Sequence, residues 1–152
     1  MPQTLEAYHA QIEAMIAEGE ALVAARDPAT AARVKHRVAD AMLLVASYQL
    51  FVHRRVFTPL LDQGDPAMRS RVNELKVACI ALTEDLRFNI RDFLADERPL
   101  DWDRTAARMA WFNGRLNQHI AEVRQLMSPD LSDQQHAALV ARRTGTVGPV
   151  AA

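Results

Sequence analysis

Ala41–Leu61, AMLLVASYQLFVHRRVFTPLL, is the stretch on which the fold turns. Its first dozen residues are nearly all apolar, which predicts the most buried helix of the chain. Val38, Met42, Val45, Gln49, Val52/His53, Val56 and Leu60 follow the i, i+3/i+4 spacing of one helical face. Gln49 and His53 therefore stand one turn apart on an apolar stripe. An unpartnered polar group buried there costs about 1–3 kcal/mol, so both are expected to have a structural or functional partner.

The bulk properties narrow what surrounds this helix. At 152 residues the chain is long enough to bury a core without disulfides or metals. A net charge of −1 supplies no basic field, so nucleic acid is not an expected partner. The single cysteine, Cys79, has no internal disulfide partner, which fits a reducing compartment. The segment MPQTLEAYHAQIEAM shows no basic region followed by an apolar run, and the apolar run 41–52 is too short to span a bilayer. The expectation is a cytoplasmic domain with no membrane partner.

Outward from residues 41–61, Gly and Pro punctuate a series of helices. Thr4 is placed to cap a first helix reaching about Arg26, with Leu5, His9, Ile12, Ile16 and Val23 inward and Gly19 as a weak point. Asp27-Pro28 ends it, and a second helix is expected from about Ala29 to Leu61. Asp65 and Pro66 start a third to about Ala95, with Val72, Leu75, Cys79, Leu82, Leu86 and Phe93 on one face. Asp101 or Asp103 caps a fourth, with Trp102, Met109, Phe112, Leu116, His119/Ile120, Val123 and Met127 inward. Pro129 ends that helix, Ser132 starts a short fifth helix to about Arg143, and TGTVGPVAA reads as a disordered tail. Trp111, Tyr48 and Phe51 also sit at helical spacings and read as core packing.

No run alternates with period two, so the fold class is all-α. Short connections between long amphipathic helices predict an antiparallel up-down-up-down four-helix bundle over 1–131, followed by the short helix and flexible tail over 132–152.

Each bundle helix then points at least one potential ligand or hydrogen-bonding group inward: His9, Gln49/His53, Cys79 and His119. In antiparallel order their depths agree within about three turns, so the three histidines are expected at one end of the bundle. The chain also has an internal echo. Leu5-x3-His9-x2-Ile12-x3-Ile16 parallels Leu75-x3-Cys79-x2-Leu82-x3-Leu86, and QLFVHRRVFTPLL (49–61) parallels HIAEVRQLMSPDL (119–131), with Pro59 and Pro129 in register. Three imidazoles suit iron, zinc or copper, and a thiolate favours zinc or Cu(I).

On these residues the chain resembles the hemerythrin-like (HHE) cation-binding family over about residues 4–131. Carrying the resemblance are Leu5-His9-Ile12, the Gln49/His53 pair before Thr58-Pro59-Leu60-Leu61, and His119 on the fourth helix. The resemblance implies an antiparallel four-helix bundle around a di-iron centre. It also implies a His where Gln49 stands and a carboxylate where His53 stands. On the fourth helix the acidic position reads Val123 and Arg124, with Glu122 one residue early. Without bridging carboxylates, the expected function is a hemerythrin-like module that has lost di-iron oxygen binding. It would act as a non-enzymatic binding or regulatory domain for a small ligand, a protein partner or a second copy of itself. Gln49 is the candidate cofactor-binding residue. The alternative keeps a single iron or zinc ion on His9, His53 and His119, with Cys79, as a sensor.

Overall fold

The computed structural model describes residues 2–128 and, among these, contains helices and no strand. The expected fifth helix, the tail and the Pro129 terminator lie outside the described residues. The chain separates into two compact units, Met1–His119 and Ile120–Ala152.

Within the first unit, α1 (Leu5–Ala25) begins where the Thr4 side chain accepts from the Ala7 amide at 3.1 Å, leaving one fewer orphan N–H in the first turn. It stops because Arg26 turns into the left-handed region, φ 50°, and its amide donates back to the Val23 carbonyl. Asp27 accepts from the Ala29 amide at 2.9 Å and opens a single 3-10 turn at Pro28–Thr30. Helix α2 (Ala31–Val52) follows, two residues later than the sequence predicts, because proline and the aspartate cap first tighten the backbone into that turn.

The expected uninterrupted helix to Leu61 instead contains a π-helical turn at His53–Phe57, followed by α3 (Thr58–Gln63). Pro59 supplies the reason. Its missing N–H and its ring both disrupt the regular hydrogen bond to the carbonyl one turn back, and a wider turn just upstream absorbs the mismatch. There the Thr58 amide donates to the His53 carbonyl, five residues back. Gly64 closes α3: its amide donates to Leu60 O at 2.8 Å, and a Cβ on it would lie 2.5 Å from that same oxygen.

Helix α4 (Pro66–Ala95) is capped by Asp65, which accepts from the Met68 amide at 2.8 Å. Helix α5 (Trp102–Leu126) is capped by Asp101 rather than Asp103: the Arg104 amide donates to the Asp101 carboxylate at 3.1 Å, while Asp103 pairs with Arg26.

Helix α2 packs against both α1 and α4. Ile12, Ile16, Val34, Val45, Val52 and Val72 are among the side chains buried in this unit, each worth about 1.5–3 kcal/mol relative to exposure. The expectation that residues 41–61 form the most buried helix is corrected: Leu43 is 67% and Leu50 60% exposed. An apolar run longer than one face necessarily turns some of its residues outward. Trp111 and Met127 are also exposed, and Trp102, Phe93 and Met109 are only half-buried, against their expected inward positions. In the second unit α5 continues to Leu126, with Ile120, Val123 and Leu126 buried. No helix among the described residues is long and apolar enough to cross a membrane.

Candidate functional site

The inward face of α2 is set by its largest amphipathic side chain. Val45, Tyr48, Val52 and Val56 are buried in i, i+3/i+4 succession, and Gln49 lies half-buried beside them. Sequence reasoning placed Gln49 on the core stripe and treated Tyr48 as packing. The structure reverses their ranks, because the tyrosine ring buries far more apolar area than the amide while its hydroxyl can still reach a partner. The signal was present in the sequence: Tyr48 shares a helical face with Val45 and Val52.

That partner is His9. Its Nε2 lies 3.1 Å from the Tyr48 hydroxyl, and its Nδ1 lies 3.6 Å from the Glu6 carboxylate. The carboxylate favours the proton on Nδ1, which leaves Nε2 as acceptor and the Tyr48 O–H as donor. On its other side Tyr48 meets His119 edge to face, ring centroids 5.8 Å apart, and the His9 ring lies 5.4 Å from the same tyrosine. His9, Tyr48 and His119 thus form a buried file of three rings from α1, α2 and α5. His53 sits in the π-helical turn, its ring tilted against that of Phe57 with centroids 5.1 Å apart.

The electrostatics here favour the neutral form of His119 and of His53. Burial, reinforced by the nearby His9 and His53 imidazoles, pulls the His119 pKa down to about 4. Burial and then the Lys76 charge lower that of His53. Both ring nitrogens of His119, and Nε2 of His53, are buried without a hydrogen-bond partner among the described residues. Leaving such groups unpaired costs about 1–3 kcal/mol each, so they are the points at which a water, a polar ligand or a metal would be stabilising. A base this weak is a poor proton acceptor near neutral pH.

The donor set does not fit a di-iron centre. Such a centre needs bridging carboxylates, and no Asp or Glu is among the buried side chains of the described residues. Nor, among these residues, is any group of three His, Cys, Asp or Glu side chains arranged to hold a metal ion. Cys79 is buried and its thiol is pushed up to about 12, chiefly by burial, so it stays protonated and acts as a small apolar filler. Its neighbour Thr83 donates to the Cys79 carbonyl at 2.9 Å. His36, within the charged run Lys35-His36-Arg37, is exposed beside Asp40.

The other feature of the unit is a cavity of about 1020 Å³. Its walls come from residues 11–22 of α1, 34–44 of α2, 86–95 of α4 and 104–116 of α5, ranges that exclude every histidine of the ring file. Met15, Ile16, Leu86, Ile90, Met109 and Phe112 give it an apolar interior. Gly19 faces it from the middle of α1, where a Cβ would meet the Met109 sulfur at 3.5 Å. Sequence reasoning missed this cavity. A void between helices depends on side chains from four separate segments, and only the mid-helix glycine hinted at it.

Compared with protein-family models, with curated proteins and with solved structures, the chain matches none.

Proposed function

We propose that this chain is a hemerythrin-like helical bundle in which di-iron chemistry has been lost and the remaining role is to bind a small apolar ligand. Its long helices run in up-down-up-down order on this reading. Support comes from contacts between the later part of one helix and the early part of a neighbour: Glu18 of α1 with Arg37 of α2, and the ammonium of Lys35, early in α2, with the carbonyl of Asp96 at the end of α4. The observation that carries the binding role is the cavity of about 1020 Å³, at the upper end of the range of about 300–1,000 Å³ for ligand sites. Its interior is aliphatic and aromatic, and the unit's buried histidines lie outside it, so the role is uptake and not catalysis. A ligand that binds only the folded state raises stability by mass action, and a regulatory domain can use that coupling.

The test is binding of a neutral apolar fluorophore, N-phenyl-1-naphthylamine, to the full chain. Saturable binding near one per chain, with a raised melting temperature, is expected. Both should be weakened in Met109→Trp, which narrows the cavity where Met109 faces Gly19, while helicity is kept. Failure to bind, or binding indifferent to Met109→Trp, overturns the reading.

A second reading retains a single iron or zinc ion on His9, His53 and His119. It is favoured by the unpartnered imidazole nitrogens of His53 and His119. These residues would supply neutral nitrogen donors, and side-chain movement would be needed to bring three of them onto one ion. Stoichiometric metal in purified protein, lost in His53→Ala/His119→Ala, is its expected signature. Absence of metal after expression in iron- and zinc-supplemented medium overturns it.

A further inference from the structure

The mouth of the cavity is not uniformly apolar, and its charged groups differ in how far they are already committed. Glu18 pairs with Arg37 at 2.8 Å, Asp96 pairs with Arg98 at 2.8 Å, and Asp101 accepts from the Arg104 amide. Asp40 lies 3.5 Å from His36. Arg104 and Arg108 stand apart from this pattern. Both line the cavity, they are one helical turn apart on α5, and neither has a salt bridge or side-chain hydrogen bond among the described residues. Half-buried Thr105, between them in sequence, also lines the cavity, and its hydroxyl has no hydrogen-bond partner among the described residues. Asp92 is the one carboxylate of the lining in the same position. Uncommitted cations therefore outnumber uncommitted anions, and they are concentrated on one turn of one helix beside an apolar interior.

We propose that the cavity takes a long-chain monocarboxylate, with the alkyl chain inside and the carboxylate held at the mouth by Arg104 and Arg108, aided by the Thr105 hydroxyl. Guanidinium groups match a carboxylate in shape and offer paired N–H donors, which makes arginine better suited than a point charge to this role. Lys35, by contrast, is already spent, donating to the Asp96 carbonyl and lying 6.0 Å from the centre of the Phe93 ring. The two flexible methionines that line the cavity, Met15 and Met109, can adapt to an alkyl chain without a fixed shape. The inference rests on the apolar-binding reading above and adds the head-group chemistry to it.

Laurate and its neutral counterpart dodecan-1-ol, titrated calorimetrically into the full chain below their aggregation limits, separate the two claims. Laurate is expected to bind the tighter of the two, and added salt should weaken laurate but not dodecan-1-ol. The surface double variant Arg104→Gln/Arg108→Gln should weaken laurate about tenfold or more and leave dodecan-1-ol unchanged. Equal binding of both probes, unaffected by that variant, overturns the head-group assignment and leaves apolar binding standing. Laurate binding that exceeds dodecan-1-ol but survives both the variant and salt also overturns it. If neither probe binds, the head-group assignment and the apolar-binding reading fall together. Unchanged far-ultraviolet circular dichroism of the variant excludes misfolding as the cause of any loss.

Discussion

The Tyr48 hydroxyl lies 3.1 Å from His9 Nε2 at a place where both side chains are buried, His9 completely. The bond joins α1 to α2 across 39 positions of sequence. Tyr48→Phe keeps the ring packing and leaves the imidazole acceptor without its donor. A loss of about 1–3 kcal/mol is expected in urea-melt stability. A double variant that also carries His9→Leu should recover part of that loss, since it removes the orphaned nitrogen. Additive losses in the two single variants would count against the bond.

Acid should weaken the fold through His119. Its pKa in the folded chain, about 4, lies below the ordinary 6.5, and that of His53 is lowered in the same direction. The unfolded chain therefore takes up these protons first. The stability contributed by keeping His119 neutral is fully present above about pH 6.5 and is lost as the pH falls towards 4, in total about 3 kcal/mol. Because carboxylates also titrate in acid, the measurement is a comparison: His119→Leu should show a shallower loss of urea-melt midpoint between pH 7 and pH 4 than the natural chain. Parallel curves would show that His119 is not responsible.

Gly19 sits in the middle of α1 with room for a methyl group, the nearest atom being the Met109 sulfur at 3.5 Å from an added Cβ. Gly19→Ala should raise stability by about 0.5–1 kcal/mol, by restricting the unfolded chain and favouring helix. A lower midpoint in thermal denaturation would mean that α1 and Met109 are less free to adjust than the spacing implies.

Arg26 occupies the left-handed region at φ 50°, which costs a residue with a Cβ about 1–2 kcal/mol. Its pairing with Asp103 is exposed and contributes little. Arg26→Gly and Arg26→Ala both remove that pair, but only glycine relieves the backbone. The glycine variant should be the more stable by about 1 kcal/mol, read from denaturant midpoints of the two proteins.

Much of the helical layout was legible one residue at a time. Thr4, Asp65 and Asp101 are caps because a short side-chain oxygen reaches the free amides of the next turn, an effect complete within four residues. The echo between Leu5–Ile16 and Leu75–Leu86 holds in burial at His9/Cys79, Ile12/Leu82 and Ile16/Leu86, but not at Leu5/Leu75, where Leu5 is half-buried and Leu75 is in the core. The π-helical turn was foreshadowed by Pro59, although a mid-helix proline does not say how the strain will be absorbed.

What the amino-acid order determined by itself, then, was local: the caps, the breakers and the inward placing of His9 and His119. Periodicity admitted both Tyr48 and Gln49 to the inner side of α2, and tertiary structure decided for Tyr48, because two adjacent residues of one helix compete for a face whose limits the neighbouring helices define. It also decided that His53 lies in a widened turn beside Phe57, outside the ring file of His9, Tyr48 and His119. The cavity belongs to the same class of result. Periodicity describes the surface each helix presents, but the space left between those surfaces depends on how side chains distant in sequence fill it.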